Sequence, residues 1–168
     1  MPPERRAQRL PDQQRNLQER NVRVQDIMTK NPRVVTPETS AREAARIMKD
    51  EGVGIVPVVM DETSRRLVGV ITDRDIAIRV VADGSSADSR VSDVMSADRL
   101  ATCRVDEDID DVMDAMASEQ VRRIPIVDER GSLVGIVSQA DVVRKSSQDD
   151  KAEETVERIS RPGGQHSQ

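Results

Sequence analysis

One stretch, present in two copies, constrains this chain more than any other. Leu67–Ile76 reads L-V-G-V-I-T-D-R-D-I and Leu133–Val142 reads L-V-G-I-V-S-Q-A-D-V. In each copy an apolar run containing one glycine leads to a hydroxyl residue (Thr72, Ser138), with an aspartate three positions later (Asp75, Asp141). The run predicts a buried strand, and the hydroxyl stands where a helix begins. A strand passing straight into a helix start presents free backbone N–H groups and a positive dipole end, which suits phosphate.

Other pieces recur at nearly the same offset. Val24–Thr29 (V-Q-D-I-M-T) is echoed by Val91–Ser96 (V-S-D-V-M-S), with Asp26 and Asp93 67 positions apart. Met48 and Met116, like Pro57 and Pro125, are separated by 68 positions, and Asp75 and Asp141 by 66. Such constancy marks an internal duplication, with length changes confined to loops.

Within each copy the order of elements is legible. Ser40-Ala-Arg-Glu43 reads as a capping box opening a helix with Ala41, Ala44, Ala45 and Met48 on one face. In the second copy Asp108 is the N-cap, and Ile109, Val112, Met113 and Met116 hold the same four phases. The acids around that second helix start suit its dipole and read as a solvated entrance rather than a metal site. The strands I-V-P-V-V (55–59) and R-I-P-I-V (123–127) follow, each with a proline that marks an edge or bulge. Charged turns lead to the opening motif, and the helix after Asp75 is expected to run through Ile76, Ile78 and Val81 and to end near Gly84. The expected division is an N-terminal polar, mobile arm (1–21), a first repeat (22–84), a second repeat (85–145) and a polar tail (146–168), with a short helix at 151–161.

Charge and composition exclude several function classes. Residues 24–145 carry 17 bases and 23 acids, so the centre is acidic, and the chain contains no Phe, Tyr or Trp. Both facts weigh against a nucleic-acid reader, which needs basic surface and aromatic stacking. Cys103 is the only cysteine, so no intrachain disulfide and no cysteine-based metal cage forms. The only histidine, His166, sits in the polar tail. No apolar run approaches membrane-spanning length and no signal-peptide core is seen, so a cytoplasmic location is expected.

Taken together, D-I-M-T and D-V-M-S, the helix after P-E-T-S, V-P-V-V and I-P-I-V, and G-V-I-T-D-R-D and G-I-V-S-Q-A-D resemble the CBS domain, named after cystathionine β-synthase, which occurs in tandem pairs. The resemblance spans roughly Val22–Lys145 and looks most like small stand-alone bacterial proteins made of one such pair. It implies an α+β fold of two β-α-β-β-α repeats related by a pseudo-twofold axis. It also implies two clefts between the two repeats that bind adenosine-containing ligands such as AMP, ADP, ATP, NAD or S-adenosylmethionine, and a disc-shaped homodimer.

Carried onto this chain, the resemblance makes Asp75 and Asp141 the candidates for the ribose, because a carboxylate accepts from two neighbouring hydroxyls. Thr72 and Ser138 are candidates for phosphate. The same residues, Thr72-x-x-Asp75 and Ser138-x-x-Asp141, also fit a capping box, and both readings stay open. Arg74 and, in the second copy, Arg122 and Arg123 are candidate phosphate ligands. Ala140 replaces Arg74 and Gly54-Ile55 replaces Arg122-Arg123 in the opposite copies, so the clefts should differ in charge preference. Adenine is expected on Ile55, Val56 and Pro57 and on Arg123, Ile124 and Pro125, with the strand ends Val34–Thr36 and Thr102–Arg104, including Thr36 and Thr102, closing each pocket. Cys103 reads as a small buried hydrophobe.

No P-loop, H-E-x-x-H or G-x-S-x-G is present, so no enzyme is expected; Asp73 and Asp75 are unaccompanied as a magnesium-dependent hydrolytic site. The leading expectation is a sensor of adenine nucleotides acting on an unidentified protein target. The alternatives are a dimeric scaffold with empty clefts and, least supported, a nucleic-acid role for the arginine-containing arm.

Overall fold

The structure, a computed structural model, describes residues 22–98 and 100–146. The arm at 1–21 and the helix expected at 151–161 lie outside the described residues. In chain order the elements are α1 (Val24–Ile27), β1 (Thr29–Lys30), α2 (Ala41–Glu51), β2 (Ile55–Val59), β3 (Leu67–Thr72) and α3 (Asp73–Asp75). A π-helix, Ile76–Ala82, continues α3 and is followed by α4 (Val91–Val94), β4 (Cys103–Arg104), α5 (Ile109–Glu119), β5 (Arg123–Val127), β6 (Leu133–Ser138) and α6 (Gln139–Ser146). The α+β expectation holds.

Two hairpins form the sheets. Strands β2 and β3 pair antiparallel, with Ile55 opposite Thr72, and β5 pairs with β6, with Arg123 opposite Ser138. Each hairpin gains a parallel neighbour, through a Val35–Val58 bridge in the first and through β4 in the second. Each also gains an antiparallel neighbour on its other side, but this one comes from the start of the opposite repeat. Thr29 pairs with Ile136 and Ser96 pairs with Val70.

The cores follow this exchange. Val24 packs with Val112, Met116, Ile124 and Val137 of the second repeat, whereas Val91 and Val94 pack with Ala44, Val56 and Ile71 of the first. The glycine inside each repeated strand makes the exchange possible. A Cβ on Gly69 would lie 2.9 Å from Met95 Sδ, and one on Gly135 would lie 2.5 Å from Met28 Sδ. The methionines of D-V-M-S and D-I-M-T thus sit against the bare backbone that those glycines leave.

Local expectations are mostly met, with informative exceptions. Ser40 Oγ accepts from Glu43 N at 3.2 Å, but the Glu43 carboxylate turns to Arg46 instead of completing the box. In α2 the buried positions are Ala41, Ala44, Ile47 and Met48, so Ile47 takes the place expected for Ala45. The bulkier side chain removes more apolar surface from water, and the helix rolls to bury it. The four expected positions of α5 are all buried. After Asp75 the helix winds as π, leaving Val80 buried while Ile78 and Val81 are exposed. Strand β5 is interior, between β6 and β4, while β2 has β3 on one side and only the isolated Val35–Val58 bridge on the other; in both the register shifts close to the proline, at Val58/Val59 and Ile126/Val127. Pro57 is tolerated because its carbonyl, which needs no N–H, carries the bond to the parallel neighbour, from Val35 N at 3.1 Å.

Candidate functional site

Each repeated motif forms a corner where a hairpin ends and a helix starts. In the first, Ile55 lies opposite Thr72, and Asp73 N donates to Gly54 O at 3.0 Å. In the second, Arg123 lies opposite Ser138, and Gln139 N donates to Arg122 O at 2.8 Å. These bonds bring Ile55, Thr72, Arg74 and Asp75 together in one corner and Arg122, Arg123, Ser138 and Asp141 together in the other.

Both corners are closed by complete capping boxes. Thr72 Oγ1 accepts from Asp75 N at 3.0 Å, while Asp75 Oδ2 accepts from Thr72 N at 2.9 Å and from Thr72 Oγ1 at 2.8 Å. Ser138 and Asp141 repeat the pattern at 3.2, 2.9 and 2.6 Å. The capping role left open by the sequence is therefore present in both copies. Each hydroxyl directs its single proton to the aspartate, so it meets a ligand as an acceptor unless the box opens.

The second carboxylate oxygens differ. Asp75 Oδ1 accepts from Ser96 Oγ at 3.1 Å and pairs with Arg79 at 3.4 Å. Arg79 in turn donates to the carbonyls of Val94 and Met95 at 2.6 and 2.7 Å, so Asp75 is tied to the segment exchanged from the other repeat. Asp141 Oδ1 pairs with Arg144, whose Nε donates to Ala140 O within the same helix. Burial pushes the Asp141 carboxyl up, but hydrogen bonds from Ser138 and Arg144, with the Arg144 charge, outweigh it and hold the group below its ordinary value. The side chains of Asp75 and Asp141 are only 11% and 13% exposed.

Other expected residues are placed less simply. Thr36 is not at the corner. The Val35–Val58 bridge is parallel, which sets Thr36 beside Val59, four positions along β2 from Ile55 and about 13 Å away at strand rise. Its N–H and hydroxyl bond Thr39 Oγ1 at 3.1 and 3.3 Å instead. Thr102 precedes Cys103, which pairs with Ile126, so it lies nearer its corner and is exposed. Val56 and Ile124 point into the two cores at 1% and 0% exposure, so their side chains do not line an open surface. Pro57 and Pro125 are buried as well, since the sheet is covered on both faces. Ile55 and Arg123 are half-buried, and Arg74 and Arg122 are exposed.

The residues that sequence reasoning missed are Ser96 and Arg79. The M-T/M-S echo was the available signal for Ser96, yet it assigned that residue to its own repeat rather than across the pair. Cys103 is buried, and desolvation, followed by the nearby Glu107, pushes its thiol up to about 12, so it stays protonated. Asp73 Oδ1 accepts from Arg74 N at 2.7 Å and Asp75 is engaged through both oxygens, which leaves no open carboxylate pair there. No cluster of three or more metal-ligating side chains exists among the described residues. Among them, too, no helix is long and apolar enough to cross a membrane.

Comparison with known proteins agrees with this architecture. The CBS domain model matches twice, at residues 24–82 and 91–148. The chain is 38% identical over 137 residues to the CBS domain-containing protein YhcV of Bacillus subtilis, covering 82% of this chain and 94% of that protein. Among solved structures it is similar to CBSX2 in complex with AMP, with a TM-score of 0.63 and 30% identity over 75% of this chain and 96% of the other. It is also similar to the CBS domain pair of protein MJ0100 in complex with 5′-methylthioadenosine and S-adenosyl-L-methionine, with a TM-score of 0.67 and 30% identity over 77% and 99%. With two ordered repeats, an exchanged sheet and matches to both halves, the chain belongs to the CBS-domain family as a tandem pair.

Proposed function

We propose that this chain is a regulatory sensor that binds adenosine-containing ligands at its two corners and transmits occupancy to a protein target. AMP, ADP and ATP are the leading ligands, with NAD and S-adenosylmethionine as further members of the class. The observation that carries this reading is the convergence of Ile55, Thr72, Arg74 and Asp75, and again of Arg122, Arg123, Ser138 and Asp141, at two equivalent corners. The AMP and S-adenosyl-L-methionine complexes of similar pairs support the ligand class.

The mechanism is a population shift. A ribose competing for Asp75 Oδ1 displaces Ser96 and Arg79, and a ligand that prefers the displaced arrangement favours it by its differential affinity. The module is not an enzyme in this reading, acts in the cytoplasm and works as a homodimer. The exposed Ile78 and Val81 support self-association.

Titration calorimetry with AMP, ATP, NAD and S-adenosylmethionine tests the reading. A ligand at a hundred times its dissociation constant should raise stability by about 2.7 kcal/mol, read by calorimetric or circular-dichroism melting. Asp75→Asn and Asp141→Asn should each weaken one corner and leave the fold intact. No binding by any of the four ligands would refute the sensor in favour of a scaffold with empty clefts.

A further inference from the structure

We propose that the two corners select ligands of different charge: the Ser138 corner takes an adenosine di- or triphosphate, and the Thr72 corner takes an adenosine ligand without a polyphosphate chain. This rests on the sensor reading and adds the chemical class that each corner admits.

The backbone frame is the same in both. The residue before the hairpin's first strand is pinned to the first residue of the following helix, Gly54 to Asp73 and Arg122 to Gln139. On that shared frame the side chains are opposed in charge. At the Thr72 corner the Asp73 carboxylate occupies the space where a side chain at position 54 would begin, with Oδ2 2.9 Å from the site of a Cβ on Gly54. This corner therefore carries an anion beside position 54, where the other corner carries a cation. Ile55, opposite Thr72, adds no charge.

At the Ser138 corner, Arg122 occupies the pinned position, bonded by its carbonyl to the backbone N–H of uncharged Gln139, and Arg123 lies opposite Ser138. Among the described residues, neither arginine forms an ion pair with a carboxylate. The motif aspartates do not alter this difference, because Asp75 is paired with Arg79 and Asp141 with Arg144. Asp73 and Arg74 cancel at the first corner, whereas Arg122 and Arg123 add at the second. Two guanidinium groups match the planar, multiply charged edge of a phosphate chain, and a carboxylate at the equivalent place repels it.

Calorimetric titration of the full chain with ATP and with adenosine, at low and moderate salt, tests the assignment in the wild type and in the double variant Arg122→Ala/Arg123→Ala. The expected wild-type result is one ATP site per chain, about tenfold or more tighter than adenosine at the same corner and weakened by salt. In the double variant the ratio of ATP to adenosine affinity should collapse toward one and its salt dependence should vanish, and a double Arg→Lys variant should retain part of the preference. Unchanged ATP affinity in the alanine variant, or two equal ATP sites in the wild type, would overturn the assignment and leave the sensor reading standing. Failure of both ligands to bind the wild type, with AMP, NAD and S-adenosylmethionine also failing, removes the sensor reading and this assignment with it.

Discussion

The two corners share a backbone, a glycine, a capping box and an aspartate, yet they connect differently to the rest of the molecule. At the first, Asp75 reaches through Arg79 and Ser96 to Val94, Met95 and the segment exchanged between repeats. At the second, Asp141 pairs with Arg144, which also donates to Ala140 O of the same helix. Duplication therefore preserved the local turn, while the contacts beyond it diverged. The first corner is bonded to the segment exchanged between the repeats, whereas at the second Arg122 and Arg123 form no ion pair with a carboxylate among the described residues.

The largest expected effect comes from what both corners share. Alanine at Gly135 places its Cβ 2.5 Å from Met28 Sδ and 3.0 Å from Thr29 O, whereas alanine at Gly69 meets Met95 Sδ at 2.9 Å and Ser96 O at 3.0 Å. Gly135→Ala should cost about 2–3 kcal/mol and Gly69→Ala about 1–2 kcal/mol, as overpacking against a close backbone does. Urea melts followed by far-ultraviolet circular dichroism measure both, since the chain has no Trp or Tyr to follow. Changes under about 0.5 kcal/mol in both variants would break the account of strand exchange.

The next effect sharpens the contrast. Arg79→Ala should cost about 1 kcal/mol, because two carbonyls and a carboxylate lose a charged donor. Arg144→Ala, whose side chain is 75% exposed, should stay within about 0.5 kcal/mol. Equal losses in paired melts would show that the corners are energetically alike.

The smallest effect is a matter of pH. The Asp141 carboxyl is held below its ordinary value, so its stabilisation is present above the unfolded-state value, near pH 4, and fades as pH falls through the folded-state value. Asp141→Asn should flatten the acid limb of the melting profile between roughly pH 4 and 2. A limb that keeps its wild-type slope assigns the acid sensitivity to other carboxylates.

Elements set by neighbours in sequence were legible in advance. Asp108 stands at the N-cap of α5, Ile109, Val112, Met113 and Met116 are its buried face, and both Thr/Ser-x-x-Asp boxes form as the spacing allows. Each depends on contacts three or four residues apart, which periodicity encodes directly. Where two local solutions were close, packing chose. Ile47 displaced Ala45 in α2, and the segment after Asp75 wound as π with Val80 inward, which an apolar count at helical spacing does not distinguish. Thr36 was misplaced because the direction and register of its neighbouring strand are set by pairing across the sheet.

The sequence by itself determined that there are two equivalent units, what elements each contains, and that the units differ at Gly54/Arg122, Asp73/Gln139 and Arg74/Ala140. Only the tertiary structure decided that V-Q-D-I-M-T completes the second sheet and V-S-D-V-M-S the first, and that Asp75 is wired to that exchange. The physical reason is the same in both cases. A strand end presents identical backbone donors and acceptors to every edge, so its partner is fixed by which side chains fit, here a methionine against a glycine, and that fit exists only after the repeats have folded together.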